Sequence, residues 1–204
     1  MPATAYDSRA RGGLRSLNCD GGYGRALALA LLGLLGLAAG GETWRFALQY
    51  QRGAIAAGEW WRLVTAHLVH LGARHVLLDG LGLVLLWALY ARALSARTWG
   101  CVLAGSLLAI DAGLWWLSPG VQWYVGLSGM LHGAWAAGAI GAWREGRSLA
   151  AASLGLLGAK LIAEQLHHGG VAGSGLPVVV DAHLYGAVGG LLVAAALGLR
   201  SRRL

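Results

Sequence analysis

One serine and one histidine have the residue types of an acyl-transfer pair. Ser128 lies in Gly126-Leu127-Ser128-Gly129, where an aromatic, turn-like segment gives way to a run of Gly, Ala, Leu and Trp. His183 lies in the last apolar run of the chain. An imidazole can take the proton of a serine hydroxyl and then deliver it to a leaving amine. The more ordinary interpretation is that Ser128 caps a helix and that His183 is a core histidine bonded to a backbone carbonyl.

Three polar residues share one predicted depth. Ser128, His183 and His75 precede the arginine at the end of their apolar runs by 16, 17 and 17 residues. At about 1.5 Å per helical residue, each lies roughly 24–26 Å from the inner membrane surface. Ionisable residues inside membrane spans generally face the protein interior and have a function. The spacing therefore predicts a site just below the outer face of a membrane.

The composition is that of a polytopic membrane protein. The chain has 204 residues, of which 57% are hydrophobic and only 12% charged, and 34 are glycine, unlike a soluble domain. Its net charge of +7 would suit nucleic acid, but the basic residues are scattered between apolar runs, so no nucleic-acid partner is expected. Cys19 and Cys101 have no metal-ligand spacing. We expect no metal and no organic cofactor.

Six apolar runs predict six membrane-spanning helices in an all-α protein. Each is near the roughly 20 residues that cross a bilayer, and they lie at about 26–40, 73–91, 99–117, 127–143, 148–165 and 179–199. The first run also resembles a cleavable signal peptide, but the five runs that follow favour a retained span. Six spans place eleven arginines on one side, which predicts that both termini are cytoplasmic. The expected organisation is a basic tail, a six-span domain and a short C-terminal segment, at 1–24, 25–200 and 201–204.

The opposite side of the membrane is predicted from aromatic residues. Amphipathic rings gather at headgroup level, and the candidates are Trp44, Trp60, Trp61, Trp115, Trp116, Trp123 and Tyr124. The segment 41–72 is too long for a tight connection and too apolar to be free in water, so we expect a loop lying partly in the outer leaflet. Residues 1–24 lack apolar periodicity and are expected to be mostly disordered or surface-lying.

Small residues recur every four positions on the runs that contain Ser128 and His183. The first run has Gly129, Gly133, Ala137 and Gly141, and the second has Gly186 and Gly190. This spacing lets membrane helices approach closely. It predicts that the two helices touch beside the serine and the histidine.

These motifs together resemble the rhomboid family of intramembrane serine proteases. The resemblance spans about residues 26–199 and rests on Gly126-Leu127-Ser128-Gly129, Ala182-His183-Leu184-Tyr185-Gly186, Trp61-Arg62 and the His70…His75 series. It implies a six-helix bundle in which Ser128 is the nucleophile and His183 its base. It also implies that His75 and position 79 bind the oxyanion together with the Ser128 backbone N–H. The glycines expected to support the site are Gly126, Gly129 and Gly186.

Position 79 departs from the family pattern, because Asp79 stands where the family has asparagine. An ionised carboxylate only accepts hydrogen bonds and would repel an oxyanion, whereas a protonated one donates, and burial favours the neutral form. Alternatively, Asp79 turns away and pairs with Arg74 or a histidine, leaving His75 and the Ser128 N–H as donors. Both interpretations stay open at this point.

The remaining histidines have less specific expectations. His132 stands where the family often has an aromatic residue on the catalytic histidine, so its ring could stack on His183. His67 and His70 are expected to be loop or packing histidines, and His167 and His168 an external pair.

The glycine-rich serine motif, followed by Met130-Leu131-His132-Gly133, and Glu59-Trp60-Trp61-Arg62 most resemble the rhombosortase branch. That branch implies a membrane-anchored protein substrate with a C-terminal tail of Gly-Gly, one apolar span and basic residues. It also implies the inner (cytoplasmic) membrane of a Gram-negative bacterium, with the site opening to the periplasm.

Two other functions are open from sequence. The first is a rhomboid-like protein that binds transmembrane helices without cutting them, which predicts no labelling of Ser128 by a fluorophosphonate. The second is a haem-binding membrane protein, which predicts a Soret band, with axial ligands drawn from His67, His70, His75, His132 and His183.

Overall fold

The computed structural model describes residues 17–167 and 178–199 of the chain. Its helices are α1 (Gly21–Ala39), α2 (Gly41–Leu48), α3 (Arg52–Ala56), α4 (Arg62–Thr65), α5 (Ala73–Tyr90), α6 (Ala96–Trp116), α7 (Ser128–Gly141), α8 (Arg147–His167) and α9 (Val180–Ala196). Two 3-10 helices cover Ala66–Leu68 and Ala142–Arg144, and two strands, β1 (Tyr50–Gln51) and β2 (Trp123–Tyr124), pair antiparallel. The protein is therefore mostly helical, as predicted. The first 16 residues of the expected tail, His168 and segment 201–204 lie outside the described residues.

Each of the six predicted apolar runs contains a helix, but the helices differ in length. Within residues 17–167 and 178–199, four helices (α1, α5, α6 and α8) are long and apolar enough to cross a membrane. Helix α7 has 14 residues and α9 has 17. At 1.5 Å per residue they extend about 21 and 26 Å, less than the roughly 30 Å hydrocarbon core of a bilayer. Helix length thus indicates a multi-pass membrane protein without establishing the predicted count of six spans.

Helix α7 lies at the centre of the bundle. It packs against α5, α6, α8 and α9, while α1 packs against α5. Most of its residues are buried, and many of these buried residues are glycine or alanine. The outer faces of α1, α5 and α8 expose leucines instead, among them Leu29, Leu77, Leu85 and Leu156. An apolar outer surface around a core of small residues is the arrangement that lipid contact and close helix packing require.

Glycine brings α7 and α9 into backbone contact. A Cβ on Gly186 would overlap the carbonyl oxygen of Gly129, and a Cβ on Gly190 would overlap that of Gly133. A Cβ on Gly133 would in turn lie 2.5 Å from the carbonyl oxygen of Gly186. The close approach predicted from the four-residue spacing is therefore present, except that Gly141 faces the segment after α5 rather than α9.

The segment 41–72 is held against the bundle by polar bonds. The Arg52 guanidinium donates to the carbonyl oxygen of Leu114 at 2.5 Å, at the C-terminal end of α6. A cation at that position also interacts favourably with the negative end of the helix dipole. The Gly126 N–H donates to the carbonyl oxygen of Ala66 at 3.0 Å. The segment thus supports the strand that leads to Ser128.

The Trp61-Arg62 motif closes this segment on itself. Arg62 is only 7% exposed and donates to Glu59 Oε2 at 2.6 Å and to the carbonyl oxygens of Phe46 and Gln49 at 2.8 and 2.9 Å. The neighbouring Trp61 is exposed. Burial of a guanidinium with several hydrogen-bond acceptors satisfies its donors and joins the end of α2 to the turn at Glu59.

Two expectations from sequence need correction, and the first concerns residues 17–24. Asn18 is 8% exposed and donates to the carbonyl oxygens of Trp87 and Ala88 at 3.1 and 2.8 Å, at the end of α5. Arg92 donates to Asn18 Oδ1 at 2.9 Å. These residues are therefore fixed by side-chain bonds to a helix end, which hydropathy does not register, and α1 begins five residues before the predicted run.

The second correction concerns Tyr124, which was expected among the interfacial aromatic residues. Tyr124 is 2% exposed, pairs with Tyr50 across the two strands and packs edge-on against His67. Its hydroxyl donates to the carbonyl oxygen of Gly126 at 2.7 Å. Burial raises the pKa of the Tyr124 phenol above its ordinary value, so the hydroxyl stays a donor. Tyr124 is thus a buried residue that supports the serine motif through its bond to Gly126.

We expect Gly186→Ala to lower the free energy of unfolding by about 1–3 kcal/mol, because the added methyl group must push α9 away from the α7 backbone. The matched control is Gly36→Ala in α1, where nothing lies within 4 Å of an added Cβ. That change is expected to be neutral or to stabilise by about 0.4–1 kcal/mol. Unfolding in mixed micelles with increasing dodecyl sulfate measures both. Equal stabilities of the two variants would contradict the close contact.

Candidate active site

Ser128 and His183 are hydrogen-bonded at the beginning of two neighbouring helices. Ser128 is the first residue of α7 and His183 lies in the first turn of α9. The Ser128 Oγ atom is 2.8 Å from His183 Nε2, and His183 is 5% exposed. No side chain at the Leu127 cap position bonds the first turn of α7. The structure thus brings together the two residues that the sequence predicted as nucleophile and base.

The other ring nitrogen of His183 settles which atom carries the proton. His183 Nδ1 lies 2.9 Å from Glu164 Oε2 on α8. Because a carboxylate accepts hydrogen bonds, Nδ1 carries the proton and Nε2 presents its lone pair to Ser128. The Ser128 hydroxyl is therefore the donor to Nε2. This is the arrangement in which an imidazole can act as a general base.

Gly126 provides the turn that precedes Ser128 and makes room for His75. Its φ is +121°, a left-handed conformation that side chains rarely adopt, and a Cβ there would lie 2.9 Å from His75 Nε2. Two other glycines predicted to support the site, Gly129 and Gly186, form the backbone contact between α7 and α9. All three predicted glycines therefore lie where a side chain would displace a neighbour.

His75 is oriented by a backbone bond. The Leu71 N–H donates to His75 Nδ1 at 3.3 Å, so in the neutral ring the proton lies on Nε2. His75 and Ser128 line the same cavity. The first N–H groups of a helix have no intrahelical partner, so the start of α7 and His75 Nε2 supply donors suited to a developing oxyanion.

Asp79 acts as an acceptor. Its Oδ2 atom accepts the Leu127 N–H at 2.8 Å and lies 3.0 Å from His70 Nε2, whereas His75 Nε2 is 3.6 Å away. The His70 Nδ1 atom is buried without a partner among the described residues. A buried nitrogen lone pair costs less than a buried, unpaired N–H, which favours Nε2–H as the donor to Asp79. Of the alternatives open from sequence, the geometry favours the pairing of Asp79 with a histidine.

His132 supports His183 from one face. The two rings are stacked with centroids 4.2 Å apart and planes 12° from parallel. His132 Nδ1 donates to the carbonyl oxygen of Ser128 at 2.7 Å, one helical turn earlier. One side chain thus contacts both His183 and the backbone of Ser128.

Glu164 is the site residue that the sequence analysis missed. It is 5% exposed, bonds His183 through Oε2 and forms an ion pair with Lys160 through Oε1. Glu164 follows Arg147 by 17 residues, which is the spacing that identified His75 and His183. Helix α8 runs in the opposite direction, so the count there starts from the arginine before the helix. Seventeen residues from Arg147 place Glu164 at the depth of the site.

The other histidines have separate contacts. His67 is fully buried and lies 3.3 Å from Asp111 on α6, a bond between the segment 41–72 and the bundle. His70 is buried in the loop before α5, as expected of a loop or packing histidine, and it contacts Asp79 as described above. His167 is exposed at the end of α8.

His132, Glu164 and His183 each place one potential metal ligand atom within 4.8 Å of the others. The lone pairs of an imidazole lie in the plane of its ring. Because the two rings are nearly parallel and stacked, their lone pairs lie in separate planes and do not converge on one ion. This geometry does not fit a metal centre and fits an orienting contact on His183.

A cavity of about 540 Å³ adjoins Ser128 and opens between α5 and α8. Polar residues line one end, including His75, Ser128, His132 and His183. The remainder is mostly apolar and includes Leu78, Leu85, Leu89, Leu149 and Leu156. The arrangement suits an extended or helical apolar segment whose backbone reaches the serine.

Comparisons with known proteins identify the family of the chain. The Rhomboid domain family matches residues 57–200. The chain is 32% identical over 90 residues to "Putative rhomboid protease YdcA" of Bacillus subtilis (strain 168), an alignment that covers 44% of this chain and 45% of that protein. The chain thus aligns with less than half the length of this relative, and no solved structure matches it. Because the family match covers well over half of the chain, the protein belongs to the rhomboid family of multi-pass membrane proteins, whose members are generally intramembrane serine proteases.

Proposed function

We propose that this protein is an intramembrane serine endopeptidase in which Ser128 is the nucleophile and His183 the general base. The observation that carries the proposal is the 2.8 Å hydrogen bond between Ser128 Oγ and His183 Nε2. The bond lies in a buried site of a membrane protein, beside an apolar cavity. Membership of the rhomboid family supports the same reaction class.

The geometry accounts for each step of peptide hydrolysis. The Ser128 oxygen attacks the scissile carbonyl carbon while His183 Nε2 takes the hydroxyl proton. The N–H of Ser128 and Nε2–H of His75 stabilise the oxyanion. When the C–N bond breaks, His183 returns the proton to the leaving amine. A water molecule, deprotonated by the same imidazole, then hydrolyses the acyl ester and restores Ser128.

The Leu127 N–H is not a donor in this scheme, because it bonds Asp79 Oδ2 at 2.8 Å. Asp79 acts instead on the donors around it. It fixes the Leu127 N–H next to Ser128, and its Oδ2 atom lies 3.6 Å from His75 Nε2. Asp79 therefore shapes the oxyanion site without contacting the oxyanion.

The proposed substrates are membrane-anchored proteins with a C-terminal tail of Gly-Gly, one apolar span and basic residues. Resemblance of the Ser128 and Trp61-Arg62 motifs to the rhombosortase branch supports this choice, as does the leucine-lined cavity between α5 and α8. We place the protein in the inner membrane of a Gram-negative bacterium, with both termini cytoplasmic. The arginines that follow the apolar runs support this orientation.

The dyad predicts that a fluorophosphonate probe labels Ser128 in the purified protein and that His183→Ala abolishes the labelling. Loss of the base is expected to slow the reaction by at least about 10³-fold, because an unactivated hydroxyl is a weak nucleophile. Gel fluorescence measures the labelling rate, and His167→Ala, at an exposed histidine, is the control. Labelling that survives in His183→Ala would contradict the proposed base, and an unlabelled wild type would favour a helix-binding protein without catalysis.

The substrate class predicts tail removal in cells. Co-expression with a reporter that has a Gly-Gly, apolar and basic tail is expected to give a shortened product, detected by mass spectrometry. Ser128→Ala is expected to leave the reporter intact. A reporter in which aspartates replace the two glycines tests the motif, because charged residues do not enter an apolar site cheaply. Equal cleavage of both reporters would contradict the Gly-Gly specificity.

Asp79→Asn is expected to keep or raise the labelling rate. The asparagine Oδ1 can accept both bonds that Asp79 Oδ2 accepts, and its NH2 group adds a donor near His75. Asp79→Ala leaves the Leu127 N–H unpaired, which costs about 1–3 kcal/mol, and is expected to slow labelling by roughly tenfold. Complete inactivity of Asp79→Asn would show that the reaction needs the negative charge.

A further inference from the structure

We propose that Glu164 is a positioning residue for His183, so that the site works as a Ser128–His183–Glu164 triad rather than as a dyad. This inference rests on the proposed protease function. It assigns Glu164 no contact with the substrate: the carboxylate acts only through the imidazole.

Two consecutive hydrogen bonds join three helices. Glu164 Oε2 on α8 lies 2.9 Å from His183 Nδ1 on α9, and His183 Nε2 lies 2.8 Å from Ser128 Oγ on α7. Both Glu164 and His183 are 5% exposed. In serine proteases with three such groups, the carboxylate holds the imidazole in its reactive tautomer and stabilises the imidazolium that forms. The described geometry meets the requirements for both effects.

Because Glu164 is buried, each hydrogen bond to its carboxylate stabilises the folded protein. A buried carboxylate is costly unless its oxygens are paired or hydrogen-bonded. The ion pair with Lys160 compensates the charge and engages Oε1, but it leaves Oε2 to be satisfied. That second oxygen faces His183. A carboxylate that served only to neutralise Lys160 would not need to lie within hydrogen-bond distance of the imidazole.

The other polar groups near His183 do not bond its Nδ1 atom, so Glu164 is the group that can orient the ring. His132 stacks on the ring face and its Nδ1 is occupied by the Ser128 carbonyl. His75 Nδ1 is occupied by the Leu71 N–H, and Lys160 is bonded to Glu164. Among the described residues, Glu164 is the group that bonds His183 Nδ1. Without it, the ring could rotate or place its proton on Nε2, where it would block proton transfer from Ser128.

The test measures fluorophosphonate labelling of the full-length protein and separates the maximal rate, kinact, from the binding constant, KI. Glu164→Gln keeps the size of the side chain and removes its charge. We expect kinact to fall about 10²- to 10⁴-fold, by analogy with the loss of a triad carboxylate, while KI stays within threefold. Glu164→Asp is expected to recover part of the rate. Glu145→Gln, at an exposed glutamate after α7, is the matched control and is expected to behave as wild type.

A second pair of variants separates positioning from charge compensation. Glu164→Gln leaves Lys160 without its acidic partner, so Lys160→Gln and the double change Lys160→Gln/Glu164→Gln are measured as well, together with thermal stability. The triad predicts that the double variant is as slow as Glu164→Gln, whereas Lys160→Gln loses less than tenfold. Recovery of kinact in the double variant would overturn the inference, because Glu164 would then only neutralise Lys160.

The outcomes also distinguish this inference from the proposed function. If wild type is labelled, His183→Ala is not, and Glu164→Gln reacts within threefold of wild type, the dyad suffices and the triad is wrong. If wild type itself is not labelled at Ser128, the protease function fails and the inference fails with it.

Discussion

The contact between the backbones of α7 and α9 is the constraint on which the site depends. Gly129 and Gly133 face Gly186 and Gly190 so closely that a single added methyl group would overlap a carbonyl oxygen. No side chain separates the helix axes at this level, which brings the first turns of the two helices together. A serine hydroxyl and an imidazole can then meet across the interface without long or flexible side chains.

Around that contact, hydrogen bonds connect most of the buried polar groups of the site in two chains. One runs from Glu164 through His183 to Ser128, and the other joins His70 and the Leu127 N–H to Asp79. In a medium of low dielectric constant such bonds are strong, and each missing partner is costly. The two chains end on adjacent residues, one at the Leu127 N–H and the other at the Ser128 hydroxyl. The position of Ser128 is therefore set from both sides, by side chains on α5 and on α8.

Much of this arrangement could be predicted from sequence, because lipid imposes simple rules. Counting from arginines placed Ser128, His183 and His75 at one depth, and four-residue spacing predicted the glycine contact. The rules fail where structure depends on a partner distant in sequence. Asn18 looked like part of a polar tail and Tyr124 like an interfacial ring, yet α5 and β1 hold them in place. Glu164 does not follow from that count because α8 runs in the opposite direction, so the distance has to be counted from Arg147 before the helix. The six-span prediction is not confirmed by helix length, since α7 and α9 have only 14 and 17 residues.

The shortness of α7 has a consequence for the surrounding lipid. Hydrophobic mismatch acts on helices that touch acyl chains, and the 18- to 21-residue helices α1, α5, α6 and α8 are long and apolar enough to span the bilayer. Helix α7, enclosed by its neighbours, can begin below the headgroups without thinning the bilayer. A thicker or thinner membrane would tilt these long helices without acting directly on α7. Because Glu164 lies on α8, a tilt of α8 would change the hydrogen bond between Glu164 and His183.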